Sequence, residues 1–291
     1  MGCKRLLYRL SLCLICVALG GCAGQGVWLQ PPDARARAEL ASAGFRVLPE
    51  QLKPIGILAS NIPLLAAVRA TDRSDFLTVF IEGDGAAWPR SSIPPADPTP
   101  NNPLGLNLAI VHLARGGEAV AYLGRPCQYL SPQALENCPL QWWTTGRFGP
   151  EPLALMNEAL DQLKAARPGA RLRLVGYSGG GAIATLLAAQ RGDVACLVTV
   201  AAPLDTDAWT RAKHVSTLVD SLNPLNAAIK LRGSLMSHLS GEKDLVVPPG
   251  TNQKFFEVTQ TQDMQQTGFE HTRPWLQAWP ELAQKTCLTR Y

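Results

Sequence analysis

Short apolar runs alternate along most of the chain with longer segments whose apolar residues recur every three or four positions. The runs at residues 76–81, 119–123, 172–175, 194–200 and 235–239 have the length and composition of strands. Between them, Leu104, Leu108, Val111 and Leu113 share a helical spacing with Ile110 near the same face. After Pro152, Leu153, Met156, Leu160 and Leu163 repeat the pattern, and Pro168-Gly169 closes it. Strand, helix, strand in succession predicts an α/β fold, a mainly parallel central sheet with crossover helices on both faces. Residues 62–68 add leading antiparallel strands, and the Pro-rich stretch 89–103 reads as a surface loop.

The first residues follow another pattern. Lys4, Arg5 and Arg9 precede an apolar stretch, 10–19, too short to span a membrane. It ends in Leu19-Gly20-Gly21-Cys22, which resembles the bacterial lipobox. That resemblance implies a cleaved signal at 1–21, a lipid on Cys22 and, since Ala23 rather than Asp follows, an outer-membrane lipoprotein facing the periplasm. An ordinary signal peptide is the alternative; acylation at Gly2 is a weaker one, because Leu6 stands where Ser or Thr is wanted. Residues 22–54, rich in Ala, Gly, Pro and Arg, read as a tether with a short helix at 33–43, and 55–291 as one domain.

Composition narrows this further. The chain has 291 residues, 46% hydrophobic, and its formal charge of +4 is scattered, so no nucleic-acid face is expected. Of eight cysteines, Cys127, Cys138, Cys196 and Cys287 remain once the signal and the lipidated cysteine are set aside. In an oxidising compartment, Cys127 and Cys138 would close a short ring in a polar loop, and a disulfide between them is expected. Cys196, inside the apolar run 194–200, reads as a small buried core residue rather than a partner for Cys287. Ligand spacings for a metal are missing, and no cofactor is expected.

The chemistry concentrates at Gly176-Tyr177-Ser178-Gly179-Gly180, a G-x-S-x-G match between a strand run and the apolar segment 183–189. A strand turning directly into a helix holds the serine in a strained conformation, and glycines at 176 and 180 let the chain pass close to itself. Such a turn lifts the Ser178 hydroxyl clear of the sheet and aims the Gly179 N–H at a developing oxyanion. From about residue 55 onward the sequence resembles the α/β-hydrolase superfamily, and within it small bacterial lipoprotein serine hydrolases. The resemblance implies a second oxyanion donor in the loop Glu82-Gly83-Asp84-Gly85, the backbone N–H of Asp84, although Glu82 stands where the superfamily often has His. A metal site on Glu82 and Asp84 is disfavoured, with no His nearby.

The superfamily order of Ser, acid, His implies the remaining partners. Of the histidines, His112, His214, His238 and His271, only His271 lies downstream of every good acid candidate. Asp244, in a loop ahead of Val247-Pro248, is the acid the resemblance selects, with Glu242 and Asp220 as alternatives. His238, on a strand, reads as a buried hydrogen-bonded imidazole. The expected activity is hydrolysis of an ester-like acyl bond through an acyl-enzyme. A binding module on the same scaffold, or an acyltransferase or peptidase, is the competing class. Trp142, Trp143, Arg125 and Arg147 lie in a loop at the sheet's C-terminal end and either line a pocket or pack around the disulfide. The segment 204–233 is short for a lid domain, so a small cap is expected.

Overall fold

The computed structural model describes residues 32–48, 62–70, 74–86, 93–116, 118–165 and 167–289. The expected signal, Cys22 and the first part of the tether lie outside them. Among the described residues eight strands form one sheet: β1 (Arg46–Val47), β2 (Ala66–Arg69), β3 (Phe76–Ile81), β4 (Ala119–Leu123), β5 (Arg171–Tyr177), β6 (Val194–Val200), β7 (Met236–Gly241) and β8 (Asp263–Gln266), in the order β1-β2-β4-β3-β5-β6-β7-β8. The pairings β1–β2 and β2–β4 are antiparallel; from β4 to β8 every pairing is parallel.

Nine α-helices accompany the strands: α1 (Pro32–Ser42), α2 (Leu104–Leu113), α3 (Pro132–Leu135), α4 (Pro150–Ala165), α5 (Gly179–Ala188), α6 (Thr206–Lys213), α7 (Pro224–Ala227), α8 (Gln253–Thr259) and α9 (Trp275–Lys285) among the described residues. None is long and apolar enough to cross a membrane.

The pleat divides the strand residues between two cores. Leu77, Val79 and Ile81 of β3, with Leu172 and Leu174 of β5, pack under Leu153, Met156 and Leu160 of α4 and Ile183 and Leu187 of α5. On the other face, Phe80, Val175, Val198 and Val200 meet Leu106 and Leu108 of α2 and Trp275 and Trp279 of α9. Helices therefore cover both faces, as the alternation of the sequence predicts, and the central strands are mostly apolar on both sides because neither face meets water, with Thr78, Arg173 and Thr199 as buried polar exceptions.

Three features depart from the sequence reading. Residues 32–48 are not a tether without a core: Ala36 and Leu40, one turn apart in an Arg-rich helix, are buried with Phe45, and β1 pairs with β2. The polar strand β8, Asp-Met-Gln-Gln, extends the sheet beyond β7. The third is a correction: Cys196 is not an unpaired core residue. It forms a disulfide with Cys287, 91 positions away, their Cα atoms 5.8 Å apart. The chain leaving α9 folds back against β7, where the Cys287 N–H donates to Ser237 Oγ at 3.0 Å, so burial and pairing coincide. Cys127 and Cys138 are disulfide-bonded as expected, Cα atoms 5.8 Å apart. The segment 204–233 holds only α6, α7 and a 3₁₀ turn at Ala228–Leu231, a small cap.

Candidate active site

β5 lies centrally in the sheet and runs straight into α5, and the joint between them is Ser178, with φ 50° and ψ −125°. A positive φ in a non-glycine residue is strained and is held here by what surrounds it. A Cβ on Gly176 would run into the Gly180 carbonyl, and one on Gly180 into the carbonyls of Ile81 and Glu82 at the end of β3. The two glycines thus serve different approaches, one of the turn to itself and one of α5 to the neighbouring strand. The Ser178 N–H donates to the Val200 carbonyl at 2.8 Å, fastening the turn to β6.

His271 arrives from the loop between β8 and α9. Its Nε2 stands 3.0 Å from Ser178 Oγ and its Nδ1 2.8 Å from Asp244 Oδ2. Asp244, in the loop after β7, is buried, and its other oxygen accepts the N–H groups of Val246 and Val247, both at 2.8 Å. Both loops are tied down. The Lys243 N–H donates to the Phe269 carbonyl at 2.8 Å, Tyr177 Oη to the His271 carbonyl at 3.3 Å, and Trp275 Nε1 to the carbonyls of Glu270 and His271 at 2.9 and 3.0 Å. The imidazole is thereby presented at a fixed angle, with its carboxylate partner already satisfied from behind.

The alternatives weighed from sequence fall elsewhere. Glu242 is exposed and accepts the Gly268 N–H at 2.8 Å; Asp220 accepts Thr145 Oγ1 at 2.8 Å. His112 lies against Glu118, and His214 caps the end of α6 at the surface. His238 is buried, its Nδ1 2.9 Å from Thr199 Oγ1, and burial pushes its pKa down to about 3. It faces a separate small cavity below the Asp244 loop.

The loop after β3 comes up beside Ser178, as the resemblance implies. A side chain on Gly83 would press tightly on the Tyr177 ring, and the Asp84 carboxylate lies against the Cα of Gly179, where a Cβ would overlap it. Two features of this loop escape a linear reading. Glu82, 1% exposed, turns its carboxylate onto the start of α2: Oε1 accepts the N–H groups of Gly83 and Gly105, and Oε2 accepts that of Leu106 and the Tyr122 hydroxyl, at 3.0–3.1 Å. Burial raises the Glu82 pKa although these donors work in the opposite direction. Asp84 is held between Arg125, 3.1 Å away, and Arg147, 2.9 Å away. Burial alone would raise its pKa; the two guanidiniums outweigh this and hold it below the usual range. An acidic residue directly after a buried strand and before glycines was the available signal for Glu82. The sequence places Arg125 and Arg147 in a loop at the sheet's C-terminal end, and Arg147 does line the cleft, but more than 40 positions away nothing signals their pairing with Asp84.

Ser178, His271 and this loop border a cleft of about 450 Å³, with Trp143, Trp209, Val246 and Pro100 on its walls. Trp143 is fixed by its Nε1 donating to the Pro95 carbonyl at 3.0 Å and Trp209 by donating to that of Val246 at 2.8 Å. Among the described residues no group of His, Cys, Asp and Glu is gathered to hold a metal.

Sheet order, the strand-to-helix joint at Ser178 and the loops that converge on it are those of the α/β-hydrolase fold. The chain is similar to the esterase Pf2001 of Pyrococcus furiosus, at 15% identity and a TM-score of 0.60 over 84% of this chain and 90% of that one. It is similar also to Est1E from Butyrivibrio proteoclasticus, at 13% identity and a TM-score of 0.57 over 83% and 96% of the two chains. A third likeness is to an α/β serine hydrolase without lid from Xanthomonas campestris, at 15% identity and a TM-score of 0.51 over 83% and 94%. The sequence matches no protein-family model and no curated protein.

Proposed function

We propose that the protein is a serine hydrolase that cleaves a carboxylic-ester or related acyl bond, with Ser178 as nucleophile, His271 as general base and Asp244 as its orienting acid. The observation that carries this reading is the unbroken chain of contacts from Ser178 Oγ to His271 Nε2 at 3.0 Å and from Nδ1 to Asp244 at 2.8 Å, on a backbone joint with φ 50°.

With Nδ1–H donating to Asp244, Nε2 is free to accept the serine proton as Oγ attacks the carbonyl carbon. The negative charge passing to the carbonyl oxygen is met by the backbone N–H groups of Gly179 and Asp84. His271 then protonates the departing alkoxide, and a water activated by the same nitrogen releases the acid and frees Ser178. The cleft, lined by Trp143, Trp209 and Val246, suits an acyl or aryl group of modest size. Anchoring through a lipid on Cys22, on the periplasmic side of the outer membrane, belongs to the same reading, and both disulfides suit an oxidising compartment.

Labelling by a fluorophosphonate probe, with the adduct mapped to Ser178, tests the assignment. Ser178→Ala should abolish labelling and lower turnover of p-nitrophenyl esters by about three orders of magnitude or more with the fold intact. A folded protein that never labels would instead be a binding module. Rising acyl chain length in the esters reads the cleft's preference, and alcohol or amine acceptors separate hydrolysis from acyl transfer. Mass spectrometry of the membrane-bound form should find its first residue to be a lipidated Cys22.

A further inference from the structure

We propose that Arg125 and Arg147 are positioning residues that neutralise the Asp84 carboxylate and pin it beside the oxyanion site, so that the Asp84 N–H serves that site while its charge is kept from opposing it. The inference rests on the reading of Ser178 as nucleophile with Gly179 and Asp84 as oxyanion donors.

The Asp84 carboxylate packs against the Cα of Gly179, one bond from the N–H expected to stabilise the oxyanion. An uncompensated carboxylate there would repel the charge that develops in the transition state. At an effective dielectric constant of about 20 and a separation of about 5 Å, that repulsion is worth on the order of a hundredfold in rate.

The structure answers each carboxylate oxygen with its own guanidinium, Arg125 Nη1 to Oδ1 at 3.1 Å and Arg147 Nη1 to Oδ2 at 2.9 Å. The arginines are themselves fixed. Arg125 Nη2 donates to the Arg147 carbonyl at 2.6 Å, and Arg147 Nε donates to the Thr144 carbonyl at 2.7 Å. Gln128 couples the same segment to the oxyanion loop, accepting from the Arg125 N–H at 3.1 Å and donating to the Gly83 carbonyl at 2.9 Å. The loop's other carboxylate, Glu82, is occupied at the start of α2. Arg125 is buried beneath the loop, whereas Arg147 lines the cleft, so two arms of different accessibility grip one carboxylate.

The test uses the purified full chain with Arg147→Met, Arg147→Lys, Asp84→Asn and the Arg147→Met/Asp84→Asn double variant, each checked for folding by thermal melting. Steady-state turnover of p-nitrophenyl acetate and the rate of fluorophosphonate labelling are the readouts. Arg147→Met leaves Arg125 on the carboxylate, so it exposes only part of the repulsion: kcat should fall about thirtyfold with KM within about twofold, and Arg147→Lys, which keeps the charge, should lose less. Adding Asp84→Asn to Arg147→Met should recover about tenfold, because the charge that the arginine masks is gone. A merely structural role would make the two losses add. Arg147→Met within about threefold of the parent, or a double variant slower than Arg147→Met, overturns the proposal. A parent chain that labels on Ser178 while Arg147→Met is unaffected overturns this inference alone; a folded parent that neither labels nor turns over overturns it together with the hydrolase reading.

Discussion

Replacing Glu82 by Gln changes one oxygen to an amide nitrogen and leaves the side chain's shape intact, at a carboxylate that accepts from four donors at 3.0–3.1 Å. Whichever way the amide turns, its NH2 faces two former donors. If it faces Leu106 N–H and Tyr122, the Tyr122 hydroxyl can turn toward Tyr129 Oη, 3.0 Å away, and one backbone N–H is orphaned. If it faces Gly83 and Gly105, two are. A buried unsatisfied N–H costs about 1–3 kcal/mol, and loss of the carboxylate at the start of a helix adds about 0.3–1 kcal/mol, so destabilisation of about 1.3–4 kcal/mol is expected even in the better orientation. Urea unfolding with unchanged m-value measures it. Because the same carboxylate fixes Gly83, the residue before the proposed oxyanion donor, kcat on a p-nitrophenyl ester should fall while KM changes little. A Glu82→Gln protein within about 0.5 kcal/mol of the parent, with unchanged kcat, would refute the argument that this carboxylate organises the loop.

Two further outcomes follow from other parts of the molecule. His238 is pushed from an ordinary pKa of 6.5 to about 3 by burial, so the folded state holds fewer protons than the unfolded one between those values. Its contribution to stability is present above pH 6.5 and is lost as pH falls toward 3, by up to about 1.4 kcal/mol per pH unit. Urea unfolding at pH 7, 5.5 and 4 should therefore show a shallower acid loss for His238→Leu than for the parent; parallel curves would contradict it. For the disulfides, the chain-entropy relation gives about 4.6 kcal/mol for the bridge spanning 91 positions and about 2.8 kcal/mol for that spanning 11. Cys287→Ala should accordingly lower the unfolding midpoint more than Cys138→Ala, and the reverse order would count against a chain-entropy origin.

What the sequence made legible was whatever depends on local pattern. The β3, β4 and β6 runs are buried on both faces and so are continuous in apolar residues, and the α4 stripe has a single period closed by Pro-Gly; each was readable within a window of ten to twenty residues. Ser178 was readable because its strained turn demands glycines at fixed offsets. Asp244 and His271 had no such local demand; order along the chain and the superfamily resemblance selected them, and the structure brings them to Ser178. The strand β8 stayed hidden because its polar residues carry no alternation at an only partly buried position. Residues 32–48 read as a tether because their buried apolar residues, Ala36, Leu40, Phe45 and Leu48, are too few to outweigh the surrounding arginines. Cys196–Cys287 was misread for a different reason: an apolar neighbourhood is as compatible with a buried disulfide as with a buried thiol, and only the return of the chain after α9 decides between them.

The crowding around the strand-to-helix joint also bears on redesign. Positions 176, 179 and 180 are each closed to any added carbon, by main chain at two of them and by the Asp84 carboxylate at the third. A mutant library aimed at new substrates would squander its diversity there. The productive positions lie elsewhere in the cleft lining, at Trp143, Trp209 and Val246, whose side chains border the cleft without forming that joint.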